Sequence, residues 1–168
     1  MCVPAPPVIE FDPAGNVVNA WGGPPTDNAY VWPTSNHGIS VDDQGNVWIG
    51  GNGGGNAQTG QGPDSHILKF THDGKLVWDF EHRPTEAQAK APENNQDTDY
   101  LLNKGRFQLD EVANEIYIIN QKRVLVYDAS TGAYKRGWGG HGMPLSEITN
   151  DRIPSYAWNG GPPPEEKN

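Results

Sequence analysis

The chain has a single cysteine, Cys2. That excludes an internal disulfide and any Cys-based zinc site. No apolar run approaches the roughly 20 residues of a membrane span, so no membrane span is expected. The opening "MCVPAPP" has neither the charged nor the apolar stretch of a secretory signal, and no signal peptide is expected in this chain. Cations are scarce, with 12 Lys and Arg against 21 Asp and Glu, a net charge of −9. They cluster only at "QKR", residues 121–123. Neutralising nucleic-acid phosphates takes a basic face, so no nucleic-acid partner is expected. No N-x-[ST] sequon occurs, no Lys follows a Gly-rich run as a P-loop requires, and no serine has a nucleophile-elbow context.

Turn formers and large rings are abundant. The 168 residues include 21 Gly and 15 Pro, both poor in helix interiors, and six Trp, six Tyr and four Phe. This is an all-β composition. A chain of this length buries about 70% of its unfolded surface as a single domain.

The sequence repeats. "VIEFDPAGNVVNAWGG" from Val8, "ILKFTHDGKLVWDFEH" from Ile67 and "VLVYDASTGAYKRGWGG" from Val124 align. Each is a short strand ending in an aromatic (Phe11, Phe70, Tyr127) and a turn bearing Gly15, Gly74 or Gly132. A second strand then closes on Trp21, Phe80 or Trp138. Period-two patterning around a Gly-bearing turn signals a β-hairpin, with the Gly at positive φ. A second hairpin type occurs twice: "HGISVDDQGNVWIG" (37–50) and "RFQLDEVANEIYII" (106–119). Ile39, Val41, Val47 and Ile49 alternate in the first copy, and Phe107, Leu109, Ile116 and Ile118 in the second. The second turn is one residue longer, with Asn114 as its left-handed residue.

One hairpin of each type makes a four-stranded antiparallel unit, and radial repetition of such units is a β-propeller. The expected architecture is an incomplete propeller of about two and a half four-stranded blades, ten strands in a single domain. It comprises an outer half-blade at 8–21, a full blade at 36–80 with an insertion at 51–64, a full blade at 105–138 and an irregular tail at 139–168. "TEAQAKA" (85–91), between Pro84 and Pro92, is predicted to form one helical turn.

"HGISVDDQGNVWI" followed by "HILKFTHDGKLVWDF" resembles the NHL repeat. "CVPAPPVIEFDPAGNVVNAWGG", "NVWIGGNG" and "RVLVYDASTGAYKRGWGGHG" extend the resemblance to one bacterial branch of six-bladed NHL-type propellers, over most of residues 2–142. The resemblance implies a partial propeller, so that either the remaining blades or self-association is expected, and a periplasmic or secreted location. It also has departures: a Gly-rich loop of the family is reduced to Gln121-Lys122-Arg123, and the His-Gly start is absent at Arg106.

The same resemblance gives His37 a context. In the distantly similar peptidyl-hydroxyglycine α-amidating lyases this position supplies a zinc-binding His at the mouth of the channel. Zinc takes three or four ligands. Arg106 stands at the corresponding start of the next blade, and His66, His72, His82 and His141 fall on outer strands or loops. His37 is therefore read first as a hydrogen-bonding residue of the blade connection and second as the remnant of a metal site. His37 and Arg106 are the ligand-binding candidates. The Gly-rich loop 51–62 is read as an insertion. Asp42, Asp43, Asp64 and Asp73 are read as turn residues, with calcium as the other option. Trp21, Phe80 and Trp138 are expected to pack between blades rather than to stack on a sugar.

The functional expectation is a binding scaffold for a protein, peptide or small ligand at the channel face, with no assigned catalytic residue. The alternative is a metal-dependent lyase or hydrolase-like enzyme whose site is completed by blades not present here, with zinc or calcium as cofactor.

Overall fold

The computed structural model describes residues 4–55, 58, 62–92, 94–101 and 106–151. Three antiparallel sheets of two, four and four strands account for the ten strands of the described residues, and no sheet is closed. The first sheet is the hairpin β1 (Val8–Phe11) and β2 (Val17–Trp21). The second runs in the order β3 (Asn36–Val41), β4 (Val47–Gly51), β5 (His66–Phe70), β6 (Leu76–Glu81). The third repeats it with β7 (Arg106–Asp110), β8 (Glu115–Asn120), β9 (Arg123–Asp128) and β10 (Tyr134–Gly139).

The turns form for the reasons the sequence offers. Gly15, Gly74 and Gly132 have φ of 88°, 85° and 72°, where a side chain would be strained. Asn114 does the same work at φ 52°. The longer connection before β8 is shortened by one more ladder pair, Asp110 opposite Glu115. Each Gly-bearing hairpin also carries a register shift near its ring residue, between Glu10 and Phe11, between Lys69 and Phe70, and between Tyr134 and Arg136. The helical turn predicted at 85–91 is α1 (Glu86–Lys90), closed by a capping box between Thr85 and Gln88. The stretch after β10 contains two 3₁₀ turns, Gly140–Gly142 and Leu145–Glu147, and residues 152–168 lie outside the described residues.

Alternation sends the side chains of β5 to two separate cores. Leu68 and Phe70 join Val8, Trp32, Val47 and Ile49, packed with Trp21 and Tyr30 against the first sheet. Ile67 joins Trp48, Phe80, Leu101, Ile116, Ile118, Leu125 and Tyr127 against the third. The second sheet is thus the middle layer, buried on both faces along β5. The ring residues at the repeat positions meet across these layers: Trp21 lies 5.2 Å from Phe70, and Phe80 lies 5.1 Å edge-on from Tyr127. Such ring pairs add about 0.5–1.5 kcal/mol beyond their buried area.

The ladders correct one alignment. Ile39 pairs with Ile49 and Gly38 with Gly50; Phe107 pairs with Ile118 and Arg106 with Ile119. Arg106 therefore corresponds to Gly38, not to His37, whose counterpart at position 105 lies outside the described residues. A bulge lies just before Gly38. The register shifts between Asn36 and Gly38, which leaves His37 without a cross-strand partner.

Candidate functional site

His37 sits on this bulge at the start of β3, and its side chain is exposed. It lines a cavity of about 190 Å³ together with Pro7, Val8, Trp32, Ile39 and Ile49. The walls are mostly apolar; His37 and Asn36 supply the polar side chains. Arg106 opens β7 and is also exposed. The two strands lie side by side: a Cβ built on Gly38 would stand 3.2 Å from the Phe107 ring. The fold thus brings the starts of β3 and β7 together, and His37 and Arg106 each immediately precede one member of this contact.

The chain just before β3 is held by Asp64, which is buried. Its Oδ1 accepts from the Thr34 amide at 2.9 Å and the Thr34 hydroxyl at 3.1 Å. Its Oδ2 accepts from the amides of Ser35 at 3.1 Å and Gly53 at 2.7 Å. A single carboxylate therefore ties the chain entering β3 to the chain leaving β4. Read from sequence as a turn residue, Asp64 instead joins segments about thirty residues apart. The spacing of its partners carries no local signal.

The other histidines are engaged elsewhere. His66 Nε2 lies 2.7 Å from the Val31 carbonyl, and His72 pairs with Glu10 at 2.9 Å. His82 lies between the carbonyls of Asp99 and Gly132, at 2.9 and 3.2 Å. His141 occupies a left-handed position at φ 56°. Among the described residues no group of three or more His, Cys, Asp or Glu side chains is placed to hold a metal ion.

Asp42 and Glu115 anchor polar clusters on corresponding faces of the second and third sheets. Burial pushes the Asp42 carboxyl up, but hydrogen bonds from Trp48, Lys69 and Asn46 together outweigh it and hold the group well below the usual carboxylate range. Lys69 also lies over the Trp48 ring, 4.7 Å from its centre. In the third sheet Arg136, then Lys135, hold Glu115 low, and the Tyr117 hydroxyl donates to it at 2.9 Å. These ion pairs account for Asp42 as a structural residue.

Buried His66 and half-buried Asp79, near the outer edge of the second sheet, titrate in opposite senses. Burial, reinforced by nearby Arg83, lowers His66 to about 4 from 6.5. Burial raises Asp79 to about 6 from 3.8 despite its 2.7 Å pair with Arg83. Between pH 4 and 6.5 the unfolded chain holds a proton at His66 that the folded protein lacks, so this group makes stability rise with pH. Between pH 3.8 and 6 the folded protein holds a proton at Asp79 that the unfolded chain has lost, so this group makes stability fall. The two oppose each other, and replacing either exposes the other. A tenfold change in a proton-binding constant corresponds to about 1.4 kcal/mol. From pH 4.5 to 6.5, urea unfolding of Asp79→Asn is therefore expected to gain about 2 kcal/mol relative to the native protein, and His66→Gln to lose about as much. Parallel profiles for all three proteins would contradict these assignments.

No family model and no curated protein matches the chain. Among the described residues, no helix is long and apolar enough to cross a membrane.

Proposed function

We propose that the chain is a segment of an NHL-type β-propeller and works as a rigid binding scaffold. It takes a protein, peptide or small ligand at the face where β3 and β7 begin. The observation that carries this reading is the side-by-side approach of the first strands of two equivalent four-stranded sheets, beside an apolar cavity bordered by His37. Stacked repeats present corresponding strand ends along one face, and such composite faces are where repeat proteins bind. The equivalence of the two sheets and the half-sheet β1–β2 support counting them as blades. The cavity's size and mixed lining suit a short peptide side chain or a small organic ligand rather than an ion.

A seven-residue random peptide library displayed on phage and selected on the purified protein tests this. Selected peptides are expected to lose at least tenfold in affinity against His37→Ala or Arg106→Ala. Both side chains are exposed, so melting is expected to stay unchanged. Binders indifferent to both substitutions would overturn the assignment of the face. The metal-dependent lyase alternative would need ligands beyond the described residues. Zinc content of the purified protein separates the two readings: one zinc per chain, lost in His37→Ala, would favour the enzyme.

A further inference from the structure

The open edge of β1 and the bare face of β3 are two sides of one slot. β1 pairs with β2 as β5 pairs with β6 and β9 with β10, with Val8, Ile67 and Val124 each opposite the closing ring residue. On its other edge β5 is covered by the hairpin β3–β4, and β9 by β7–β8. Among the described residues no strand covers the corresponding edge of β1. The consequence shows in side-chain exposure. Leu68 and Phe70, and Leu125 and Tyr127, are 0% exposed, whereas their counterparts Ile9 and Phe11 on β1 are 40% and 58% exposed.

The second side is independent of the first. Ile39 and Val41 on β3 are 64% and 60% exposed. Their counterparts on β7, Phe107 and Leu109, pack against the core beneath the second sheet. Paired residues share a face, so Ile39 and Val41 lie on the face of Ile49 and Val47, which the first sheet covers only in part. The first sheet stands over β5 and its turn, with Trp21 against Phe70 and Gly74, and toward β3 it reaches only the cavity that Val8 and Ile39 share, leaving Ile39 and Val41 largely exposed. The uncovered apolar strip therefore lies where two more strands, added beside β1, would rest.

We infer that this slot takes a β-hairpin of the β3–β4 type from a partner: two antiparallel strands with apolar residues at alternate positions, adding to β1 and covering Ile39 and Val41. Main-chain bonds along an open edge supply affinity, and alternate side chains supply specificity. Antiparallel pairing with β1 of a second copy does not fit. That copy's β1–β2 hairpin carries its own β5–β6 beneath it, where this chain already has β3 and β4. A bare hairpin has no such layer. The repeat geometry carries the inference; Ile39 also lines the cavity of the ligand face and Val41 does not, so Val41→Lys is the variant that separates the two readings.

A fluorescent head-to-tail cyclised peptide with the sequence of residues 36–51 is the probe, titrated into the full chain and followed by anisotropy, with sedimentation of the protein alone. The expected result is saturable binding, absent for a scrambled cyclic peptide and weakened at least tenfold by Ile39→Lys and by Val41→Lys. Those two variants are expected to melt as the native protein does, because both side chains are exposed in it. Slowed amide exchange confined to β1 and the β3 face accompanies binding. Absence of saturable binding, binding unaffected by both lysines, or a dimer that Ile39→Lys dissociates would each overturn the inference.

Discussion

Arg123→Lys is expected to lower stability by about 3–6 kcal/mol, although the charge is kept. Arg123 begins β9 and is 1% exposed, and its hydrogen bonds among the described residues go to carbonyl oxygens rather than carboxylates. Its guanidinium donates to the carbonyls of Asn95 at 2.9 Å, Asp97, and Tyr100 at 3.4 Å, and to Asn120 Oδ1 at 3.2 Å. One planar fork thus organises the segment 95–100, which lies between α1 and β7. Burial lowers the group's pKa, which is the sign of a desolvated cation held by dipoles. A lysine would stay buried and charged but cannot span those acceptors from one nitrogen. Each hydrogen bond to a charged group contributes about 1.5–3 kcal/mol, and losing two of the four gives the stated range. Tyr127 donates its hydroxyl to the Thr98 carbonyl at 2.9 Å, so Tyr127→Phe is a matched control expected to cost about 1 kcal/mol. Urea unfolding of the three proteins decides the matter. Equal losses for Arg123→Lys and Tyr127→Phe would show that the fork is not what holds the segment.

Asp64→Asn is expected to cost about 3 kcal/mol, although it changes no volume. Its two oxygens receive three backbone amides and one hydroxyl. An asparagine must present its NH₂ to one side. Turned toward Oδ2's partners, it faces the amides of Ser35 and Gly53; turned toward Oδ1's, it faces the amide of Thr34. Either orientation sets donor against donor in a buried site. The damage falls on the chain entering β3, so exchange of the Ser35 and Gly53 amides should quicken before that of β8 or β9. A variant as stable as the native protein, with those amides still protected, would remove Asp64 from its role in tying the chain entering β3 to the chain leaving β4.

The hairpins were legible because their signals are local. A Gly at the one position that needs positive φ, a ring residue ahead of it and alternation on either side suffice to place β1–β2, β5–β6 and β9–β10; the register shift in each was not legible. Asn114 was legible for the same reason. The helical turn at α1 followed from the stretch 85–91 lying between Pro84 and Pro92; the capping box of Thr85 and Gln88 was seen only in the structure. What escaped was set by distance along the chain. Arg123 lies in a short connection that reads as a solvated hairpin, and only the return of residues 95–100 buries it. Asp64 reads as a turn carboxylate because its donors on Thr34 and Ser35 lie about thirty residues upstream. The alternation of Ile39 and Val41 matches that of Phe107 and Leu109. It states which face is apolar, not whether anything covers it. The bulge at His37 escaped for another reason. Its extra residue is visible only against the partner strand. Arg106 slips by one place when the two stretches are matched from their first residues, because the second turn is one residue longer.

Two equivalent four-stranded sheets and one half-sheet stack face to face, with β5 as the buried middle and β1 and β3 as bare edges. Residue-resolved amide hydrogen exchange on the native chain tests that arrangement most directly. The slowest exchange is expected along β5 and β9. Free exchange is expected for those β1 amides that do not face β2 and those β3 amides that do not face β4. Protection of both edges of β1 equal to that of β5, or rapid exchange along β5, would contradict the stacked arrangement.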